Sequence, residues 1–226
     1  MKRLIVAITG ASGTRYGRRL LQVLSHQGVG VELIVSRGAR LVLEVEEGIR
    51  LGEPADPSLL VADLRGPIPG PGGVGAIEGL TGRYAAGGPG LGAGLVTVHD
   101  PENLASEIAS GSAPVDGMVI LPCSMATLGA IASGAGWNLV HRAADVTLKE
   151  GRPLLVGPRE APLGLVHLRN MVRLAEAGAR ILPCMPSFSS RPSSLDELVD
   201  GLVMRFLDLL GLRVELAPRW RDPEAR

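Results

Sequence analysis

Residues 3–8 read Arg-Leu-Ile-Val-Ala-Ile, apolar at five consecutive positions, and the run halts at Thr9-Gly10-Ala11-Ser12-Gly13. An apolar, partly β-branched run closed by glycines predicts a strand buried on both faces that ends in a tight turn. A helical pattern begins at Tyr16, keeps Leu20, Leu21, Val23 and Leu24 to one side, and ends near Gly28. A second strand over 30–35 and a second helix over 37–47 follow. The alternation returns after residue 95. Strands are expected at 95–99, 117–122, 153–157 and 180–182. Helices are expected at 103–109, 124–133, 139–150, 165–177 and 194–210. Strands apolar throughout, alternating with amphipathic helices, predict an α/β fold whose parallel sheet is covered on both faces. Ligands bind such sheets beyond the carboxyl ends of the strands, at a switch point. The informative residues are therefore 9–13, 36, 122–127, 158–160 and 183–191.

One segment interrupts the rhythm. The chain has 31 Gly and 17 Pro in 226 residues, where average usage gives roughly 27 of the two together. Twelve Gly and four Pro fall within residues 66–94. Glycine loses the most entropy on ordering, so this stretch reads as a mobile excursion inserted between the second helix and the third strand. A surface insertion is its default role; an active-site cover or a subunit contact are the alternatives.

Lys and Arg total 23, balanced by 23 Asp and Glu, which argues against a general nucleic-acid binder. The apolar run at Leu4–Ile8 is too short for a signal-peptide core or a membrane span. Cys123 and Cys184 stand apart, with neither disulfide nor zinc spacing. A cytoplasmic, disulfide-free protein without a membrane span is expected.

The first loop carries the strongest local signal. Gly10 and Gly13 let backbone N–H groups approach an anion, Ser12 adds a hydroxyl, and the following helix adds its positive end. Gly17 permits close helix–strand packing. The loop is neither a G-x-G-x-x-G fingerprint nor a Walker loop. The second strand ends in Val35-Ser36-Arg37, without the acid that an NAD ribose requires. Neutral Ser36 suits a flavin mononucleotide, and Arg37 alone leaves an NADP reading open. In Leu121-Pro122-Cys123-Ser124-Met125-Ala126-Thr127, Ser124 is a natural N-cap, and with Thr127 it puts two hydroxyls at another helix start. Nothing supplies Cys123 with a base, so it reads as an inert buried thiol.

Charge gathers farther along. Arg142, Asp145 and Lys149 share one helix face, for which a solvated ion-pair face is the default explanation. Arg159-Glu160 follows an apolar strand and is flanked by Pro158 and Pro162. The arginine there suits a phosphate, and the glutamate can move a proton. His26, His99, His141 and His167 share no metal-like spacing and read as surface or capping residues; no metal site is expected.

Taken together, Ala7-Ile8-Thr9-Gly10-Ala11-Ser12-Gly13 with Tyr16-Gly17, Leu121-Pro122-Cys123-Ser124, Arg142-Ala143-Ala144-Asp145-Val146, Leu148-Lys149-Glu150, Arg152-Pro153-Leu154 and Pro158-Arg159-Glu160-Ala161-Pro162 resemble the UbiX-type flavin prenyltransferases. The resemblance covers nearly the whole chain except 66–94. It implies a Rossmann-like doubly wound parallel sheet, the flavoprotein three-layer sandwich, in one domain over 1–212. A tail over 213–226 would close on the site or on a neighbouring subunit. The implied activity adds a dimethylallyl group from dimethylallyl monophosphate to N5 and then C6 of reduced FMN. The product serves a UbiD-type decarboxylase, and the assembly is a homo-oligomer, typically a dodecamer with sites at subunit interfaces.

On matching positions the resemblance implies FMN contacts at Gly10, Ala11, Ser12, Ser36, Ser124, Met125, Ala126, Thr127 and Arg159. Prenyl-phosphate contacts fall to Arg142, Lys149, Glu160 and Arg205, with Ser189 and Trp220 completing the substrate set. Glu46, Glu160 and Ser12 carry the catalytic roles, Glu46 in proton handling, and Trp220 closes over the site. Two positions depart from the pattern. Ser189 stands where the family has a phosphate-binding tyrosine, so Arg191 or a water would stand in, and Leu104 stands near a usual tryptophan. These departures motivate one alternative, an FMN-binding carrier without prenyl transfer. An FMN-dependent decarboxylase of the cysteine-decarboxylase fold is disfavoured by Pro122-Cys123-Ser124-Met125-Ala126-Thr127, which departs from that group's motif.

Overall fold

The computed structural model describes residues 1–62, 64 and 95–219. The elements run β1 (Arg3–Ile8), α1 (Thr14–His26), β2 (Gly30–Val35), α2 (Arg37–Glu47), β3 (Val96–His99), β4 (Gly117–Cys123), α3 (Met125–Ala132), α4 (Leu139–Lys149), β5 (Leu154–Pro158), α5 (Leu165–Glu176), β6 (Arg180–Ile181) and α6 (Leu195–Leu209), with 3-10 turns at Pro57–Leu60 and Glu107–Ala109. The strands lie in the order β3-β2-β1-β4-β5-β6, every neighbouring pair parallel. The chain leaves β1 toward β3 and then returns to β4 on the other side. The switch point is therefore the gap between the ends of β1 and β4.

Alternation along β1 explains the three layers. Leu4, Val6 and Ile8 pack with Leu20, Leu21 and Leu24 of α1, Leu43 of α2 and Val203, Phe206 and Leu207 of α6. Ile5 and Ala7 face the other way, onto Leu128 of α3, Val140, Ala143 and Ala144 of α4 and Leu174 of α5. Successive strand residues point to opposite faces, so a strand apolar at every position demands cover on both. Gly17 sets how closely α1 lies on the sheet. A Cβ there would sit 2.1 Å from the Leu121 carbonyl oxygen.

One expected helix is absent. Residues 103–109 form only the 3-10 turn Glu107–Ala109. Asp100 Oδ1 accepts the Glu102 N–H at 2.9 Å and Asn103 Oδ1 accepts the Ala105 N–H at 3.0 Å. These Asx contacts fold the chain into turns where the helix would start, a local alternative that competes with it. The 66–94 excursion and Trp220 lie outside the described residues.

Candidate functional site at the strand ends

Thr9, fully buried, joins the two central loops. Its hydroxyl donates to the Pro122 carbonyl at 2.9 Å and accepts the Ser124 N–H at 2.8 Å. Its own N–H also reaches the Pro122 carbonyl, at 3.2 Å. The β1 and β4 loops are therefore one rigid unit. The sequence reading passed over Thr9 as a turn residue; a hydroxyl at the exact end of a fully apolar run was the available signal. On the β5 side, the Arg159 N–H donates to the Cys123 carbonyl at 3.2 Å, adding the third strand end.

On the β2 side the approach is through glycine. A Cβ on Gly10 would lie 3.0 Å from Gly38 Cα, so the loop after β1 and the start of α2 touch backbone to backbone. Ser36 caps α2, its Oγ accepting the Ala39 N–H at 3.1 Å. Ser124 caps α3 in the same way, accepting the Thr127 N–H at 3.2 Å and donating to Thr127 Oγ1 at 3.0 Å. Gly13 is the N-cap of α1 at φ 94°, a conformation that favours glycine, and it brings no side-chain cap of its own. Its N–H donates instead to Glu46 Oε2 at 3.0 Å. A carboxylate from α2 already occupies the positive end of α1. Gly10, Ala11, Ser12, Ser36, Ser124, Met125, Ala126, Thr127 and Arg159 all lie on these strand-end segments.

Beyond β5 and β6 opens a cleft of about 250 Å³, lined by Pro158, Arg159, Glu160, Ala161, Leu163, Met171, Pro183, Cys184 and Met185. Its lining combines apolar side chains with the charged Arg159 and Glu160. The Glu160 carboxylate accepts the Ala161 N–H at 3.0 Å. Tyr16 belongs to this corner too. Burial raises its phenol above the ordinary value, as does Cys184, and the Arg159 charge opposes the rise. Burial also pushes the Cys184 thiol up to about 12 and the Cys123 thiol higher still. Neither is a thiolate at neutral pH, in keeping with the inert reading of Cys123.

The remaining expected site residues are engaged in side-chain pairs of their own. Arg142 and Lys149 lie on α4 and Arg205 on α6. Arg142 pairs with Asp145 at 2.8 Å, Lys149 with Glu150 at 2.7 Å and Arg205 with Asp208 at 2.9 Å. Ser189 is exposed in the loop after β6, its Oγ 2.9 Å from Ser187 Oγ. The histidines divide. His167 caps α5, accepting the Gly164 N–H at 3.2 Å. His141 is buried, and His99 is hydrogen-bonded to buried Glu32, so neither of these is a surface residue.

Residues 1–207 match the Flavoprotein family. The chain is 40% identical over 221 residues to the flavin prenyltransferase UbiX of Pseudomonas aeruginosa, covering 98% of this chain and 95% of that protein. The chain belongs to the UbiX flavin prenyltransferase family. It is 39% identical to the Halalkalibacterium halodurans UbiX, covering 98% and 96% of the two chains. Among solved structures it superposes on AnUbiX in complex with FMN and dimethylallyl pyrophosphate with a TM-score of 0.78, at 34% identity and 97% coverage of both chains. A dodecameric FMN-dependent UbiX-like decarboxylase from Escherichia coli O157:H7 gives 0.76 at 36% identity, covering 97% and 99%. The cysteine decarboxylase TvaF, 17% identical with a TM-score of 0.52, shares the fold alone.

The strand-end residues fit FMN, the cofactor of this UbiX-family chain. Gly10 lies where a Cβ would crowd Gly38, leaving a bare backbone cradle, and Glu46 at the Gly13 N–H shows that the start of α1 accepts an anion. Neutral Ser36 carries no charge against a phosphate or ribityl chain.

Proposed function

We propose that this chain transfers a dimethylallyl group from dimethylallyl monophosphate to N5 and C6 of reduced FMN, making prenylated FMN for a UbiD-type decarboxylase. The observation that carries the reading is the Thr9-linked row of strand ends opening beside an apolar cleft that holds Glu160. When bound there, reduced FMN supplies the nucleophilic nitrogen and carbon. Gly10, Ala11, Ser12, Ser36, Ser124, Met125, Ala126, Thr127 and Arg159 hold it. Leu163 and Met171 give the prenyl group an apolar wall, and an allylic cation needs water kept away to outlive hydrolysis. Arg142, Lys149 and Arg205 offset the charge that develops on the leaving phosphate. Glu160 takes the proton released when carbon is substituted, and Glu46, at the Gly13 amide, handles protons there.

In this reading the helix-borne cations of α4 and α6 serve the crevice of a neighbouring copy in a homododecamer. Leu165, Val166, Leu168 and Val172 of α5 are all exposed in the protomer, as an assembled helix face would be. The protein works in the cytoplasm, where free Cys123 and Cys184 stay reduced. The tail after residue 212 is anchored by buried Val214, and in this reading its Trp220 covers the site. The test is anaerobic incubation of the full chain with reduced FMN and dimethylallyl monophosphate. A flavin mass gain of one prenyl unit is expected. Bound FMN without a mass change would make the chain a carrier, and failure to bind FMN would end both readings.

A further inference from the structure

The crossover from β3 to β4, where the expected helix is replaced by a turn, is held by a buried polar relay. Glu32 of β2 is 1% exposed. Arg3 Nε donates to its Oε1 at 2.5 Å, and His99 Nε2 bonds its Oε2. The other ring nitrogen, His99 Nδ1, lies 2.8 Å from Ser106 Oγ, and Arg3 Nη2 donates to Glu107 at 3.0 Å. An N–H on Nε2 facing the carboxylate leaves Nδ1 as the acceptor of the Ser106 hydroxyl proton. One carboxylate thus ties β1, β2 and β3 to the crossover.

The crossover then meets α4. The Ala109 carbonyl accepts Arg142 Nε at 3.1 Å, while Asp145 holds Arg142 Nη1 at 2.8 Å. The Gly111 carbonyl accepts Arg152 Nη2 at 2.7 Å, and a Cβ on Gly111 would lie 3.1 Å from Lys149 Nζ. A guanidinium tethered at two nitrogens has lost most of its rotamer freedom before a ligand arrives, so its next contact costs less entropy. We propose that Glu32, His99 and Ser106 are positioning residues for Arg142, setting the Ala109 carbonyl so that the guanidinium is aimed in advance at the prenyl phosphate. The inference rests on Arg142 binding that phosphate, as in the proposed function.

Calorimetric titration of the FMN-loaded chain with dimethylallyl monophosphate, alongside turnover, tests it. Ser106→Ala is expected to weaken dimethylallyl monophosphate binding about fivefold, the scale of one lost hydrogen bond. The KM should rise in parallel, with kcat and FMN affinity within about twofold, and Ser106→Thr should restore binding. In an Arg142→Ala background, Ser106→Ala should add nothing, because its effect runs through that side chain. Unchanged binding in Ser106→Ala would overturn the proposal, as would an equal loss in the Arg142→Ala background or an equal loss of FMN affinity. No prenyl turnover by the unsubstituted chain would overturn the functional reading with it; normal turnover beside an unaffected Ser106→Ala overturns the positioning role alone.

Discussion

Gly17 illustrates how one atom decides the site. With no room between α1 and the Leu121 carbonyl, Gly17→Ala must push the helix off the sheet and move the Gly13 amide with it. Such overpacking costs about 3 kcal/mol. Urea unfolding should show that loss, and FMN affinity should fall with it. The same local scale governs the thiols. Burial holds Cys184 at about 12 and Cys123 above that, so neither should react with a disulfide reagent at pH 8 until the protein is unfolded. Rapid labelling of Cys123 in the folded chain would contradict the closed packing between β4 and α3. Thr9 marks what residue-level reading missed. Its glycine neighbours announced a phosphate cradle, but which loop its hydroxyl would grip depends on β4, more than a hundred residues away.

At the scale of elements, the Ser124 cap was legible because a cap is local, and three more of the same kind accompany it. Ser36, Ser124, Asn138 and Ser194 each accept an amide N–H within their own first helical turn. The missing 103–109 helix was not, because its apolar spacing competes with two side-chain-held turns and with a polar tether to Glu32. That tether predicts a pH dependence. Burial raises the Glu32 carboxyl, but hydrogen bonds from His99 and Arg3 outweigh it and leave the folded value below the ordinary one. A depressed carboxylate stabilises the fold above its unfolded value, about 4.3, and that contribution is lost as pH falls through the folded value. Glu32→Gln should therefore be about 2 kcal/mol less stable at pH 7. The gap should shrink as pH drops below about 4, measured by denaturant unfolding at each pH.

For the whole molecule, the apolar faces left in the protomer set the expected assembly. Leu165, Leu168 and Val172 recur at helical spacing on one face of α5 and are all exposed. Leu168→Glu with Val172→Glu should reduce the mass in light scattering from that of a large oligomer toward that of smaller species, with the circular dichroism of the fold kept. A fully assembled double variant would remove α5 from the interface. The cations Arg142, Lys149 and Arg205, each paired with a carboxylate in the protomer, belong to this scale as well. The resemblance implies sites at subunit interfaces, and these cations lie on the helices α4 and α6.

The chain's own pattern determined the layers, the strand ends that matter and the chemistry of the loops there. Periodicity and turn residues act over a few positions, and an apolar strand has no stable place except between two covers. The tertiary structure alone decided that Thr9 locks two loops together, that Glu46 sits on the α1 amide, and that Glu32 reaches Arg142 through His99, Ser106 and the crossover. Those contacts join residues distant in sequence. Their geometry is set by how strands pair and helices pack, which no local pattern records.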